Sequence, residues 1–449
     1  MFRGPILPLI IKLSAPIFAG MLFHLLYNIT DTMWISRINL SDPSYVGGTG
    51  IIFPMIFLAI AISNGITVGI SSLVARGIGE KNTAFLNRAA ESGLAIAIIL
   101  GVLVVSTAYI FDESIVRMLG AEGDYYIHGL EYFRYIIPVA VLMFISSVFN
   151  GILQGEGQMK FVMVSMIIGT LGNIILDPIF IFTFDLGIKG AAIATGVAQL
   201  ISVIYIISVF LRGKTLVQVE WKIDNISRIS IRKIANIGLP QALSQIIMSI
   251  SFLIFNRIVV EIDPLALTAF SLCGRFDMAV LMPIFAIGAA LVTMVGQNAG
   301  RGNFTRIRSI WKTSLLSTAV VVVIIATFMI IFAHNIYSFF SDIDAVVNYA
   351  VLQTRIIEYS FVFAVLGILG RSLFQGIGYP IPALIISLLR LVIVSVPAVI
   401  VYVYIFNLGM YGVWFGLITG NGVGALISFL WGTRTIFLLE KKIITIRHS

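Results

Sequence analysis

"QGEG", Gln154–Gly157, returns as "QGIG", Gln375–Gly378, 221 positions further along the chain. Four residues alone mean little. Other pairs hold the same offset: Asp42-Pro43 with Asp263-Pro264, Val74, Gly79 and Asn82 with Val295, Gly300 and Asn303, and Arg134 with Arg355. After one inserted residue, "LGIKG" from Leu186 matches "LGMYG" from Leu408. A register kept over more than 140 residues marks an internal duplication. The expected halves are 1–212 and 232–449, joined by a polar linker over 213–231, "GKTLVQVEWKIDNISRISI". The weak amphipathic pattern of this linker reads as a surface segment.

Composition decides what has been duplicated. Of 449 residues, 59% are hydrophobic and 11% charged, with a mean hydropathy of +1.03. Soluble domains carry about 25% charged residues. Apolar runs of about the 20 residues a helix needs to cross a bilayer recur along the chain. They predict twelve spans, near 8–36, 46–75, 89–111, 127–151, 161–183, 187–211, 232–260, 265–297, 310–337, 345–372, 380–406 and 408–434. Strands of alternating polarity are absent, so the spans are helices rather than a barrel. Six spans per half is an even number, which gives both halves the same orientation. The expected fold is an all-α polytopic membrane protein: two six-helix lobes related by a parallel repeat, with a central cleft. The first run is too long, and too polar near Asn28 and Asp31, for a cleaved signal peptide.

Basic residues set the expected orientation. Arg76, Lys81 and Arg88 follow span 2, and Arg301, Arg306, Arg308 and Lys312 follow span 8. Lys214, Lys222, Arg228, Arg232 and Lys233 fill the centre, while Lys441, Lys442 and Arg447 end the chain. The intervening loops are acidic, with Asp112, Glu113, Glu122, Asp124, Glu261, Asp263, Asp342 and Asp344. Both termini are therefore expected in the cytoplasm of a cell that carries the protein in its cytoplasmic membrane. This bias accounts for the net charge of +8, and no nucleic-acid partner is expected. One cysteine, Cys273, excludes a disulfide framework, and four scattered histidines offer no metal-ligand spacing. No G-x-x-x-x-G-K-[ST] motif occurs, so the chain does not hydrolyse a nucleotide by itself. No cofactor is expected. Transport by such a chain is driven by an ion gradient or runs downhill.

Ionisable groups at membrane depth are functional candidates, because each costs at least ~2.5 kcal/mol at the bilayer centre. "GNIILDPIFIF", Gly172–Phe182, places Asn173 and Asp177 on one helix face. In span 1, Asp31 shares a face with His24, Tyr27 and Asn28. Pro16, inside the same run, frees a carbonyl and favours a bend. Thr195 in span 6 and Asn150 in span 4 add hydrogen-bonding capacity. Each has a bland reading too: interfacial water for the acids, helix packing for the amides and Thr195, a satisfied buried histidine for His24. The second half differs. Offset by 221, Asp177 falls on Ala398, Asn173 on Val394 and Asn150 on Arg371. Span 7, "PQALSQIIMSISFLIF", offers Gln241, Gln245 and serines but no acid. Asp277 in span 8 has Arg275 and Arg257 as candidate partners, and a structural ion pair is expected there. A cation site in the second half is not expected.

With these residues in place, the chain resembles a multidrug and toxic compound extrusion (MATE) transporter, nearer the DinF-like than the NorM-like branch. The resemblance spans nearly the whole length. Its markers are "APIFAGMLFHLLYNITDTMWIS" in span 1, "GNIILDP" in span 5 and "GRFDMAVLMPIFAIGAALVTMVGQNAGRGN" across span 8. It implies two six-helix bundles around a V-shaped cleft. By resemblance, Asp31 and Asp177 match the family's coupling aspartates, and Asn173 and Thr195 their polar partners. Tyr27 and Tyr132 match neighbouring tyrosines, Asn150 a cleft asparagine of the drug site, and Pro16 the proline where span 1 bends. Two departures stand out: the span 7 acid of NorM-like members is missing, and His24 replaces a glutamine.

The expected activity is export of an amphipathic, often cationic small molecule in exchange for entering H+ or Na+. The protein is expected to act as a monomer in the lipid bilayer, with substrate cleft residues Asn150, His24, Tyr132 and Asn28. A proton needs one carboxylate, whereas sodium needs several oxygen ligands, which favours protons. Two rivals are a lipid-linked oligosaccharide flippase of the same superfamily, for which Arg371 and Arg390 give some footing, and a polytopic membrane transferase. The latter would need an acid-rich metal motif or a His-centred site, and neither is visible.

Overall fold

A computed structural model describes residues 1–219 and 222–444. Glu220 and Trp221 of the expected linker, and residues 445–449 with Arg447 and Ser449, lie outside the described residues. Among the described residues there is no strand. Twelve helices among the described residues are long and apolar enough to cross a membrane. Spans 1 to 6 are Ile6–Ser36, Ser44–Glu80, Thr83–Ile110, Val139–Glu156, Met159–Thr183 and Gly187–Leu211. Spans 7 to 12 are Arg228–Ile262, Pro264–Gly300, Phe304–Phe340, Asp344–Ile377, Pro380–Ile405 and Met410–Glu440. Span 4 departs from expectation. The run predicted over 127–151 is two helices, Gly123–Ile136 and Val139–Glu156, separated at Ile137–Pro138. Pro138 has no N–H to continue the first helix, so the chain restarts after it.

The duplicated motifs turn out to be the punctuation of the fold. Asp263 caps span 8 by accepting from the Leu265 N–H at 2.8 Å, with Pro264 as the first helical residue. Asp42 opens span 2 in the same way, accepting from the Ser44 N–H at 2.9 Å. The Ser44 hydroxyl and N–H hold the Asp42 carboxyl below the usual carboxylate range. Asn82 and Asn303 cap spans 3 and 9, accepting from Phe85 and Arg306 N–H groups at 3.1 and 3.2 Å. In "QGEG" and "QGIG" the last glycines, Gly157 and Gly378, end spans 4 and 10 with φ of 83° and 88°. Side chains rarely adopt that left-handed conformation. Gly155 and Gly376 in the same motifs lie against Val74 and Val295. A methyl on either would stand 2.7 or 2.9 Å from the valine Cβ. Span 2 thus meets span 4 as span 8 meets span 10.

The inserted residue also has a location. Span 5 is regular α-helix up to Pro178 and ends in a π-helical turn, Ile179–Thr183. Span 11 ends in the matching π turn, Val401–Ile405, but carries a further π-helical stretch, Leu389–Ser395. A π turn is what one extra residue makes of an α-helix. Beyond it the offset is 222, and the structural equivalents of Asn173 and Asp177 are Ser395 and Val399, not Val394 and Ala398. Burial agrees: Asn173, Asp177, Ser395 and Val399 are exposed by 1%, 0%, 1% and 0%.

The chain forms two compact units, one of Ala15–Ala242 and one of Met1–Ser14 with Leu243–Ser449. In the Ala15–Ala242 unit, Ile66, Ile70, Val148 and Phe149 centre one apolar cluster and Ile52, Phe133 and Ile188 another. The linker is tied to this unit. Val217 N–H donates to Glu156 Oε1 at 2.8 Å, and Ser227 N–H to Ser92 Oγ at 3.0 Å.

Candidate functional site

Spans 5 and 6 run antiparallel and make contact through small residues. A methyl at Gly190 would lie 2.7 Å from the Phe180 carbonyl oxygen, so only glycine admits this approach. Gly172 faces Ala198, and the Ser165 and Ser202 hydroxyls bond at 2.7 Å. Between these contacts, Asn173 Nδ2 donates to Asp177 Oδ1 at 2.9 Å and to Thr195 Oγ1 at 3.1 Å. Asn173 and Asp177 are buried, one turn apart, as their spacing predicts.

Span 1 runs parallel to span 5. Gly20 lies against Met166 and Trp34 meets Phe182 edge-on at 6.1 Å. Between those two points the Asp31 and Asp177 carboxyl groups face each other. The Tyr27 hydroxyl faces Thr195, and the buried Tyr132 stands beside Asp31, Tyr27 and Asp177. Six of the expected residues therefore share one site. Its bookkeeping of donors and acceptors does not balance. Asp31 Oδ1, Asp177 Oδ2 and Asn173 Oδ1 are buried oxygens with no hydrogen-bond donor. Buried acceptors in native structures are almost always satisfied, and three open ones in one place can take a proton, a water molecule or a cation.

The other expected residues are not among the residues that close this cluster. His24 stacks on Tyr27, ring centroids 5.4 Å apart, but is itself exposed, as is Asn28, whose amide bonds the His24 carbonyl oxygen. Asn150 donates to Ser146 Oγ at 3.2 Å on its own helix and leaves its buried Oδ1 without a donor. Pro16 lies inside a helix that runs unbroken over Ile6–Ser36.

The second half requires a correction. Asp277 does not pair with an arginine. Arg257 bonds Glu261 one turn away at 2.8 Å, and no described ion pair involves Arg275. Asp277 instead faces the carboxyl group of Glu358, which is 1% exposed with neither oxygen given a donor. Cys273 and Tyr337 stand beside Asp277, and Tyr337 and Thr354 bond each other at 2.7 Å. Sequence reasoning passed over Glu358, although an acid inside the predicted 345–372 span is the signal that singled out Asp31. Among the described residues no group of three or more His, Cys, Asp or Glu side chains is placed to hold a metal ion.

Comparison with known proteins adds the following. A family model described as MatE matches residues 16–179 and 240–403. The chain is 23% identical over 444 residues to the Multidrug export protein MepA of Staphylococcus aureus, covering 98% of this chain and 96% of that protein. It is 26% identical over 454 residues to the Probable multidrug resistance protein NorM of Thermotoga maritima, covering 96% and 94%. A solved structure of MATE in the bent conformation superposes with a TM-score of 0.93 at 30% identity, covering 98% of both chains.

Proposed function

The chain belongs to the MATE family of transporters, multi-pass proteins of the cell membrane, and we propose that it exports amphipathic, often cationic compounds in exchange for entering cations by alternating access. One observation supports this reading above others: the facing Asp31 and Asp177 carboxyls, with three open acceptor oxygens around them. Ionised, the pair attracts a cationic substrate. Protonated from outside, it loses that attraction and Tyr27, Thr195 and Asn173 rearrange about a neutral pair. Span 1, which carries Asp31 and contains Pro16, is the element free to respond. An ion does this work only through its different affinity for the two states. Protons are the simpler coupling ion, because one proton supplies the donor missing between the two facing carboxyl groups. Sodium remains the second reading, since Asp31, Asp177, Asn173 and Thr195 together present enough oxygens. The protein acts as a monomer, both termini facing the cytoplasm.

The test is purified protein in liposomes, assayed for ethidium and norfloxacin efflux and, in parallel, for movement of a fluorescent lipid-linked oligosaccharide. Efflux of the drugs without lipid movement is expected. Lipid movement without drug efflux sinks the exporter reading in favour of a flippase. Orientation is checked separately. Reporters fused after Ser449 and within 213–231 should be cytoplasmic and one near Asp124 external. A linker reporter on the outside contradicts the parallel repeat.

A further inference from the structure

The second half departs from the first in charge as well as in helix geometry. Where the first half has Asn150, the equivalent position holds Arg371, and the extra π stretch of span 11 holds Arg390. Both arginines stand on helices that pack against the same part of span 12. Span 10 meets it where Gly370 faces Ser428, whose hydroxyl donates to the Leu366 carbonyl at 2.8 Å. Span 11 meets it one turn earlier, where a methyl on Gly424 would lie 2.9 Å from Cβ and Cγ of Arg390. The Arg390 stem is thus seated on Gly424, while Gly420 takes the Arg390 carbonyl and Ser395. Arg371 lies within electrostatic range of Arg390.

Arginines at membrane depth either pair with a counter-charge or mark a path for substrate or ion. Neither guanidinium has a hydrogen bond or ion pair to another described residue, and both side chains are partly exposed. Snorkelling does not resolve this. Arg390 is ten residues inside the start of span 11, about 15 Å along the helix, beyond the reach of its own side chain. The π stretch reinforces the point, because such insertions re-aim side chains and recur at functional sites.

We propose that Arg371 and Arg390 form a subsite for an oxyanion group (carboxylate, phosphate or sulfonate) of an amphipathic ligand. The two planar forks offer several N–H donors to one compact anion, the geometry in which arginine outperforms lysine. This refines the export reading by assigning the substrate an acidic group besides its apolar body, yet binding is measurable with no gradient and no transport. Failure here therefore leaves the exporter reading untouched.

The experiment uses the full chain in phosphatidylcholine nanodiscs and two probes sharing one ring system. One is the anion 1-anilinonaphthalene-8-sulfonate and the other the uncharged N-phenyl-1-naphthylamine, with empty nanodiscs subtracted. Arg371→Gln and Arg390→Gln should each weaken the anion about tenfold or more and leave the neutral probe unchanged. Arg390→Lys, which keeps stem and charge but loses the fork, should fall between. Gly424→Ala, which displaces the Arg390 stem, should mimic Arg390→Gln. Repeating the titration with phosphatidylglycerol in the disc identifies the source. Displacement of the sulfonate assigns the site to an anionic lipid headgroup, and its persistence assigns it to a soluble amphiphile. Equal anion affinity in wild type and both glutamine variants overturns the proposal, as does an equal loss of both probes in every variant.

Discussion

Asp177→Asn is expected to abolish efflux driven by an inward proton gradient, and Asp31→Asn to do the same, while both proteins insert and fold. Each change keeps the side-chain shape. The new amide can donate to the facing carboxyl, as Asn173 already donates to Asp177 at 2.9 Å. What disappears is the titration, and with it the difference in cation affinity that lets a gradient bias one state. An equilibrium swung between about 1:99 and 99:1 loses that swing, so the initial rate falls on the order of a hundredfold. Ethidium efflux from proteoliposomes measures this, with thermal unfolding in detergent as the control for folding. Undiminished efflux in both variants removes the pair from the mechanism.

Gly190→Ala is the second large effect. Its methyl would lie 2.7 Å from the Phe180 carbonyl oxygen, closer than a Cβ approaches another atom, so spans 5 and 6 must part. The bond that parts with them is Asn173 to Thr195, 3.1 Å long. A destabilisation of about 1–3 kcal/mol is expected. Efflux should be lost although both aspartates remain. Gly50→Ala, which meets nothing within 4 Å, is the matched control. An unchanged melting temperature and efflux rate for Gly190→Ala would mean that the contact does not set the site.

The repeat was legible because its motifs do local work that side-chain chemistry announces: Asp-Pro and Asn start helices, and the final glycine of "QGEG" and "QGIG" ends them. The position of the inserted residue was not. Anywhere between Gly157 and Leu186 satisfies the change in offset, and only the π stretch at Leu389–Ser395 locates it. Asp31, Asp177, Asn173 and Thr195 were legible because a polar group in an apolar run is expensive wherever it points. Their meeting was not, because it depends on Gly190, Gly172 and Gly20 letting three helices close together. Asp277 misled for a related reason. Arg275 and Arg257 are near it in sequence, but Arg257 sits one helical turn from Glu261 and is taken by it. Glu358, 81 positions away, is the group that faces Asp277. Pro138 gave a visible sign of the break in span 4, overridden by the length of the apolar run around it.

We propose that the Asp31–Asp177 pair couples export to protons. The most direct measurement loads proteoliposomes with ethidium and imposes an inward proton gradient with sodium absent. The companion vesicles carry an inward sodium gradient at equal pH. Efflux in the first vesicles, none in the second, and none in either for Asp177→Asn is the predicted result. Efflux with the sodium gradient alone would contradict proton coupling while leaving the site in place. Proton-driven efflux that survives Asp177→Asn would contradict the site itself.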